Sequence, residues 1–152
     1  MSQVGGWRAV VEVATIAGRR VRALARLGPP TAGAAVVLYD QDARVLLVRA
    51  SYKRHWSIPG GFLNPHESAL DGAQRELSEE LGLVVGSLES VGSVDGPTRH
   101  TTHIFVGSAR PDQVTEHSWE IREHAWFAPT ALPRVGPRAA ALLRRCEPDP
   151  LR

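Results

Sequence analysis

The sequence predicts a mixed α/β domain in which one sheet packs between helices. Three observations carry that prediction. Two apolar runs, 35–39 and 45–48, flank the polar turn Asp40-Gln41-Asp42, which is the pattern of a β-hairpin. A helix with start and stop signals at its two ends spans 68–81. A last helix starts at Pro137, where proline suits the first turn, and continues to residue 145.

The elements follow in chain order. Residues 7–27 read as an amphipathic helix, with Val10, Ala14, Ala17, Val21 and Leu24 on one stripe and most of the arginines elsewhere. Gly28-Pro29-Pro30 stops it, so the chain divides into an N-terminal helix and linker, 1–30, and a domain, 31–152. Glu12 and the pair Arg19-Arg20 interrupt this segment and argue against a signal peptide. The stripe calls for burial on the domain itself or on a second subunit, as in a homodimer. Contact with a membrane surface is the weaker reading, because the stripe is rich in alanine and Trp7 is its one aromatic. After the hairpin, a loop holding Tyr52, Lys53, Arg54, His55 and Trp56 leads to Pro59-Gly60-Gly61. Beyond the helix, weaker strands are predicted over 84–94 and 103–109, with a short one over 125–127.

Composition bounds the function classes. A chain of 152 residues, 43% apolar and 22% charged, is a soluble globular domain with a core of its own. The apolar runs are too short to span a membrane. Cys146 is the single cysteine, which suits a reducing, cytoplasmic setting. The net charge of +2 gives no reason to expect a nucleic-acid partner.

The helix over 68–81 carries charges that stability does not explain. Ser68 with Asp71 three residues on resembles a capping box, and Gly82 followed by Leu83 is a left-handed stop with its closing apolar contact. Glu76, Glu79 and Glu80 therefore lie in the last two turns, where helix carbonyls make each anion unfavourable by ~0.3–1 kcal/mol. At roughly 100° per residue, Glu79 and Glu80 fall about 60° and 40° to either side of Glu76, so the three share a face and repel. Leu70, Leu77 and Leu81 form the face directed at the core. A solvated acidic face neutralised by arginines such as Arg75 is the bland explanation. Oxygen ligands for a hard cation, Mg²⁺ or Mn²⁺, are the functional one, since local rules are broken mainly at functional sites.

Spacing decides between them. From Gly61 the chain runs five residues to Glu67, seven more, then Arg75-Glu76-Leu77-Ser78-Glu79-Glu80-Leu81-Gly82-Leu83. This resembles the Nudix box at every defined position, and Trp56-Ser57-Ile58-Pro59-Gly60 resembles its usual lead-in. The resemblance implies a Nudix-type α/β/α sandwich with a mixed central sheet, to which the N-terminal helix is an addition. It also implies metal-dependent hydrolysis of a pyrophosphate bond in a nucleoside diphosphate linked to another group, a small-molecule nucleotide substrate.

By the same resemblance, Glu76, Glu79 and Glu80 bind metal, one of them serving also as base, and Arg75 orients a carboxylate by a charge-assisted hydrogen bond. Gly60 offers its backbone carbonyl to metal, while Gly61, Glu67 and Gly82 have structural roles. A further carboxylate is sought in the acidic run before Trp126-Phe127. Glu120 is the choice, by analogy with related sequences that end in a Trp-Phe pair, and Glu116 and Glu123 compete with it. Arg49, Lys53 and Arg54 are candidates for substrate phosphates, against a reading as ordinary surface charge. Trp56, Phe105 and Trp119 are candidates for base stacking, against a reading as packing. The six histidines have no zinc-like spacing. A nucleoside triphosphate and a nucleotide sugar such as ADP-ribose both remain open as substrate. Pro97 lies near, but not at, the position typical of ADP-ribose enzymes. The alternative is a non-catalytic Nudix-fold module that senses a nucleotide; such modules commonly lose box carboxylates, and this chain keeps all of them.

Overall fold

Strand β1 (Thr31–Tyr39) is covered on both faces, and the other elements are arranged around it. The computed structural model describes residues 30–96, 99–115 and 118–146. The predicted N-terminal helix, Pro97 and Glu116 lie outside them. Strands β2 (Val45–Ala50), β3 (Gly60–Phe62), β4 (Leu88–Asp95), β5 (His100–Ser108) and β6 (Ile121–Phe127) complete a six-stranded sheet of order β4-β5-β1-β2-β6, with β3 also paired to β1. Pairing of β1 with β5 is parallel and the other pairings are antiparallel, so the sheet is mixed. Helix α1 (Ala69–Leu81) and helix α2 (Pro137–Arg145) are the two α-helices of the described residues.

Alternation along the strands sends successive side chains to opposite faces. On one face Val36, Leu38, Leu46, Val48 and Phe105 pack against Ala73, Leu77 and Leu81 of α1. On the other, Ala35, Val37, Leu47 and Ile104 pack against Ala139, Leu142 and Leu143 of α2. The result is an α/β/α sandwich. No helix of the described residues is long and apolar enough to cross a membrane.

Several local expectations change. The hairpin of β1 and β2 is paired in register only at Tyr39 and Val45. Beyond that point the segment 56–63 wedges between the two strands. Ser57 exchanges backbone hydrogen bonds of 2.9 and 2.8 Å with Val48, Val36 N–H donates to Pro59 O at 3.0 Å, and Leu63 N–H donates to Ala32 O at 3.0 Å. Strand β3 is part of that wedge. Its three residues have no period of their own and become a strand through pairing with β1, the tertiary context on which β structure depends. Strand β4 starts at Leu88 because Val85, counted as strand in sequence, is buried with Leu83 in the loop that closes α1. Strands β5 and β6 begin earlier than predicted, in His100-Thr101-Thr102 and Ile121-Arg122-Glu123, whose polar residues hide the pattern. Leu70 is 42% exposed and outside the core; the buried stripe of α1 starts at Gly72 and Ala73, and Leu63 packs against that end.

The stop of α1 forms through Gly82, at φ 60° and ψ 25°, whose N–H donates to Ser78 O at 3.0 Å while Leu83 N–H donates to Leu77 O at 3.2 Å. Left-handed backbone costs a residue with a Cβ about 1–2 kcal/mol, so Gly82→Ala is expected to lower stability by about that amount. Gly86 has ordinary φ, and a methyl at its Cα would meet no atom within 4 Å, so Gly86→Ala is expected to be neutral or stabilising by ~0.4–1 kcal/mol. Urea unfolding of the two variants checks the contrast.

Candidate active site

Helix α1 starts at Ser68, whose hydroxyl accepts the Asp71 N–H at 3.1 Å and donates to Asp71 Oδ2 at 2.7 Å. No basic residue lies in its last turn, so the acidic end is not offset from within that turn. The offset comes from Arg75. Its Nε and Nη2 donate to the two oxygens of Glu67 at 2.8 and 3.0 Å, and Nη1 donates to Glu76 Oε1 and Glu79 Oε2, both at 2.9 Å. Nη2 also donates to Phe62 O at 2.9 Å, which uses the five N–H donors of a guanidinium. Glu67, gripped by Arg75 and by the Asn64 N–H at 2.8 Å, is held down at a pKa of about 2. Burial raises the pKa of Glu76, while Arg75 works in the opposite direction.

Glu80 turns away from Arg75 towards the wedge. Its Oε2 accepts the Gly60 N–H at 3.1 Å. Burial is the largest influence on it; together with the charges of Glu76 and Glu120 it pushes Glu80 up to about 7, against the Gly60 N–H and Lys53. The two wedge glycines are needed for this approach. A Cβ on Gly61 would lie 2.5 Å from Glu76 Oε1, and one on Gly60, at φ 140°, would overlap Ala34 O.

A cavity of about 470 Å³ runs along the wedge. On the α1 side it is lined by Arg75, Glu76, Glu80, Glu120, Tyr52 and Lys53. Glu120 reaches it from the residue before β6; its backbone O accepts the Ser51 N–H at 2.8 Å, which ties that corner to the loop after β2. Burial and the charges of Glu120 and Glu80 raise the pKa of Tyr52, so these three groups share one field. Glu76, Glu80, Glu120, Gly60, Gly61 and Lys53 are thus brought together.

The remaining candidates are placed elsewhere. Glu79 is 60% exposed in its side chain and lies outside the cavity lining, linked to it through Arg75. Arg49 pairs with Glu123, its cross-strand partner in register, and its guanidinium carbon lies 5.5 Å from the centre of the Trp56 ring. Neither Arg49 nor Glu123 lines the cavity, and Arg54 is exposed outside it. Phe105 belongs to the core, Trp56 packs edge-on against Phe127 at 4.9 Å, and Trp119 is exposed. Sequence reasoning missed His100, Thr102 and Arg138, which line the cavity on the α2 side. The one local signal was an arginine directly after the helix-starting Pro137.

Among the described residues, no three Asp, Glu, His or Cys side chains converge closely enough to hold an ion as they stand. Arg75 takes the counter-ion role for Glu76 and Glu79. The donor chemistry of the cavity nonetheless suits a hard divalent cation. Its acidic side chains are all carboxylates, and the half-buried Glu80 needs a positive partner to ionise at neutral pH. A carboxylate whose folded pKa is raised favours the folded state below its ordinary 4.5 and loses that contribution as pH climbs through about 7. Glu80→Gln removes the ionisation. In metal-free buffer its stability relative to the parent is therefore expected to rise between pH 5 and pH 8, by about 1–3 kcal/mol. Denaturant titrations at the two pH values measure this, and parallel profiles would show Glu80 to be an ordinary carboxylate.

Comparison with known proteins agrees with this architecture. The sequence model of the NUDIX domain matches residues 29–146. A Bacillus subtilis protein named "Putative 8-oxo-dGTP diphosphatase" is 32% identical over 104 residues, which cover 68% of this chain and 70% of that protein. The mouse diphosphoinositol polyphosphate phosphohydrolase 3-alpha is 34% identical over 98 residues, covering 58% of this chain and 57% of its own length. In fold, the crystal structure of a MutT NUDIX hydrolase from Burkholderia pseudomallei superposes with a TM-score of 0.69 at 22% identity, over 78% of this chain and 99% of that one. With the box, the sandwich and the family match in agreement, this chain belongs to the Nudix hydrolase family.

Proposed function

We propose that the chain hydrolyses the pyrophosphate bond of a nucleoside diphosphate linked to another group, with Mg²⁺ or Mn²⁺ bound at the carboxylates of α1. The observation that carries this reading is the shared lining of one cavity by Glu76, Glu80 and Glu120 beside the Gly60–Gly61 backbone. Nudix hydrolases generally need a divalent metal. Bound here, it would neutralise the pyrophosphate and assist ionisation of the attacking water.

Position supports the following roles in this reading. Glu76, Glu80 and Glu120 hold the cation from the cavity wall, with the Gly60 carbonyl as a neutral ligand and Glu79 joining from the adjacent turn. One of these carboxylates takes the proton of the attacking water. Arg75 sets the orientation of Glu76 and Glu79 through one nitrogen, Nη1. Glu67 fixes Arg75 from the opposite side, and Gly61 and Gly82 give the backbone its close approach and its stop. Lys53 is the cation of the lining that suits a substrate phosphate on this side. Arg49 and Arg54 are less suited, since Arg49 is paired with Glu123 and neither lines the cavity. Nucleoside triphosphates and nucleotide sugars such as ADP-ribose both contain the bond, and the Bacillus relative's name points to the former.

Turnover of such substrates is expected to vanish on removal of divalent cations. Glu120→Gln should lower kcat/KM at saturating Mg²⁺ by at least roughly 10–100-fold, the range seen when even an outer partner of a metal's ligands is lost. Glu123→Gln should stay within about threefold of the parent, less than 1 kcal/mol in transition-state stabilisation. Steady-state assays over a panel of nucleoside triphosphates and nucleotide sugars measure both. A greater loss in Glu123→Gln would reassign the late carboxylate.

A further inference from the structure

The cavity has a second end, built from three strands and α2, which the carboxylate chemistry does not use. Thr102 of β5, Gly33 of β1 and Phe62 of β3 are direct cross-strand partners, so they form one row across the sheet. Directly opposed residues share a face. Ala35 and Ile104, two residues further along, belong to the core under α2, so the row faces α2. Gly33 is buried in the middle of that row, with the His100 ring lying against it. Across it the Phe62 ring meets the His100 ring edge-on, with centroids 5.1 Å apart. A Cβ on Gly33 would lie 2.7 Å from Gly61 O and 3.0 Å from His100 Nε2, so any larger residue there would displace the His100 ring from its place beside Phe62. Phe62 is 59% exposed, an aromatic ring left open at a cavity wall.

Arg138 stands over this floor from the first turn of α2. It donates through Nη2 to the hydroxyl of Thr102, which is itself 3% exposed and fixed in the sheet. Among the described residues no carboxylate pairs with Arg138, and its other guanidinium donors have no partner there. His100 adds no charge: it is hydrogen-bonded through Nδ1 to Thr31 Oγ1 at 2.8 Å, and burial and the nearby Arg138 lower its pKa. The rest of this end is apolar, with Ile58, Ala139 and Leu142. One oriented fork of donors beside an open aromatic ring and apolar walls is a poor cradle for a phosphate, which calls for several cations or amides. It suits a flat, neutral heteroaromatic ring that presents acceptors at its edge.

We propose that Gly33, Phe62, Thr102 and Arg138 form the subsite that reads the nucleobase, and that it selects a purine with a 6-carbonyl over a 6-aminopurine. The proposal rests on the nucleotide pyrophosphatase reading above and deepens it. The base stacks against the exposed Phe62 ring, which His100 backs over Gly33, while the pyrophosphate extends past Gly60 and Gly61 to the α1 side. A 6-carbonyl purine offers two acceptors, O6 and N7, on one edge, which matches a guanidinium fork. A 6-aminopurine puts a donor in place of O6 and leaves one arm of the fork facing an N–H.

Binding of the product-type nucleotides IMP and AMP tests this without requiring turnover. The two differ at the six-position edge that Arg138 would read. By calorimetry in Mg²⁺ buffer, the full-length chain is expected to bind IMP roughly tenfold more tightly than AMP, the lower range of one bidentate arginine–base pair. Arg138→Gln should abolish the difference by weakening IMP alone. Arg138→Lys should abolish it as well, because it keeps the charge and loses the fork. Equal affinity for the two nucleotides in the parent overturns the proposal. So does a preference that survives Arg138→Gln, or an equal loss for both nucleotides, which would make Arg138 a phosphate ligand. The pyrophosphatase reading fails separately: a chain that prefers IMP but cleaves no substrate of the panel keeps this subsite and loses that activity. Cleavage without base preference does the reverse.

Discussion

The arginine at position 75 resolves a conflict that the sequence sets up for itself. Four glutamates at 67, 76, 79 and 80 are brought to one end of the sheet, three of them at the helix end that disfavours anions. Arg75 spreads its donors over Glu67, Glu76, Glu79 and the carbonyl of Phe62. These contacts join the helix to the loop before it and to β3. The same guanidinium therefore neutralises the acidic face and fixes the wedge along which the cavity runs. Lysine at this position would bring the charge without the planar fork that reaches carboxylates and a carbonyl in separate directions. Glu80 is the one box carboxylate outside this network, and it is also the one whose ionised form the fold leaves most poorly compensated.

Backbone proximity does the rest. Glu80 bonds to a peptide N–H of Gly60, and Glu76 lies against Gly61 more closely than any side chain there would permit. Gly33 lets the His100 ring approach as closely on the opposite face. Three glycines in two paired strands thus let one cavity reach both sides of a sheet that is otherwise closed by the cores under α1 and α2. For Gly60 and Gly61 the cost in backbone entropy falls on a short segment held by bonds to β1 and β2 on its two sides.

How much of this is legible in the sequence depends on distance along the chain. Helix α1, its serine cap and its left-handed stop are local patterns, and they form where the sequence predicts them. The box is local too, which is why it points to the family without help from the fold. Strand β3 is not legible, since Gly-Gly-Phe has no period and exists as a strand only against β1. The polar starts of β5 and β6 are hidden for a similar reason: their strand character comes from neighbours rather than from alternation. Leu70 illustrates the reverse error. Its seven-residue offset from Leu77 puts it on the buried stripe in angle, but its turn lies outside the core. The distinction between Glu120 and Glu123 needs the register of β6, which pairs Glu123 with Arg49 and leaves Glu120 at the cavity.

The two ends of the cavity have different origins in the chain, and that difference explains why the box identifies a reaction without a substrate. Residues of the α1 end are concentrated in one continuous segment, with Glu120 and the loop at Tyr52 and Lys53 added from outside. Residues of the α2 end are single positions at 33, 62, 100, 102 and 138, contributed by three strands and a helix. Cleaving a pyrophosphate makes the same electrostatic demands whatever is attached to it, so a compact set of carboxylates can be specified once, within about six turns' worth of chain. Recognising the attached group demands shape and an ordered set of donors, which only the assembled sheet provides. A change at Gly33 or Arg138 can therefore alter what the protein accepts while leaving every box residue in place, and selectivity in such a chain has to be sought across the sheet from the motif that names it.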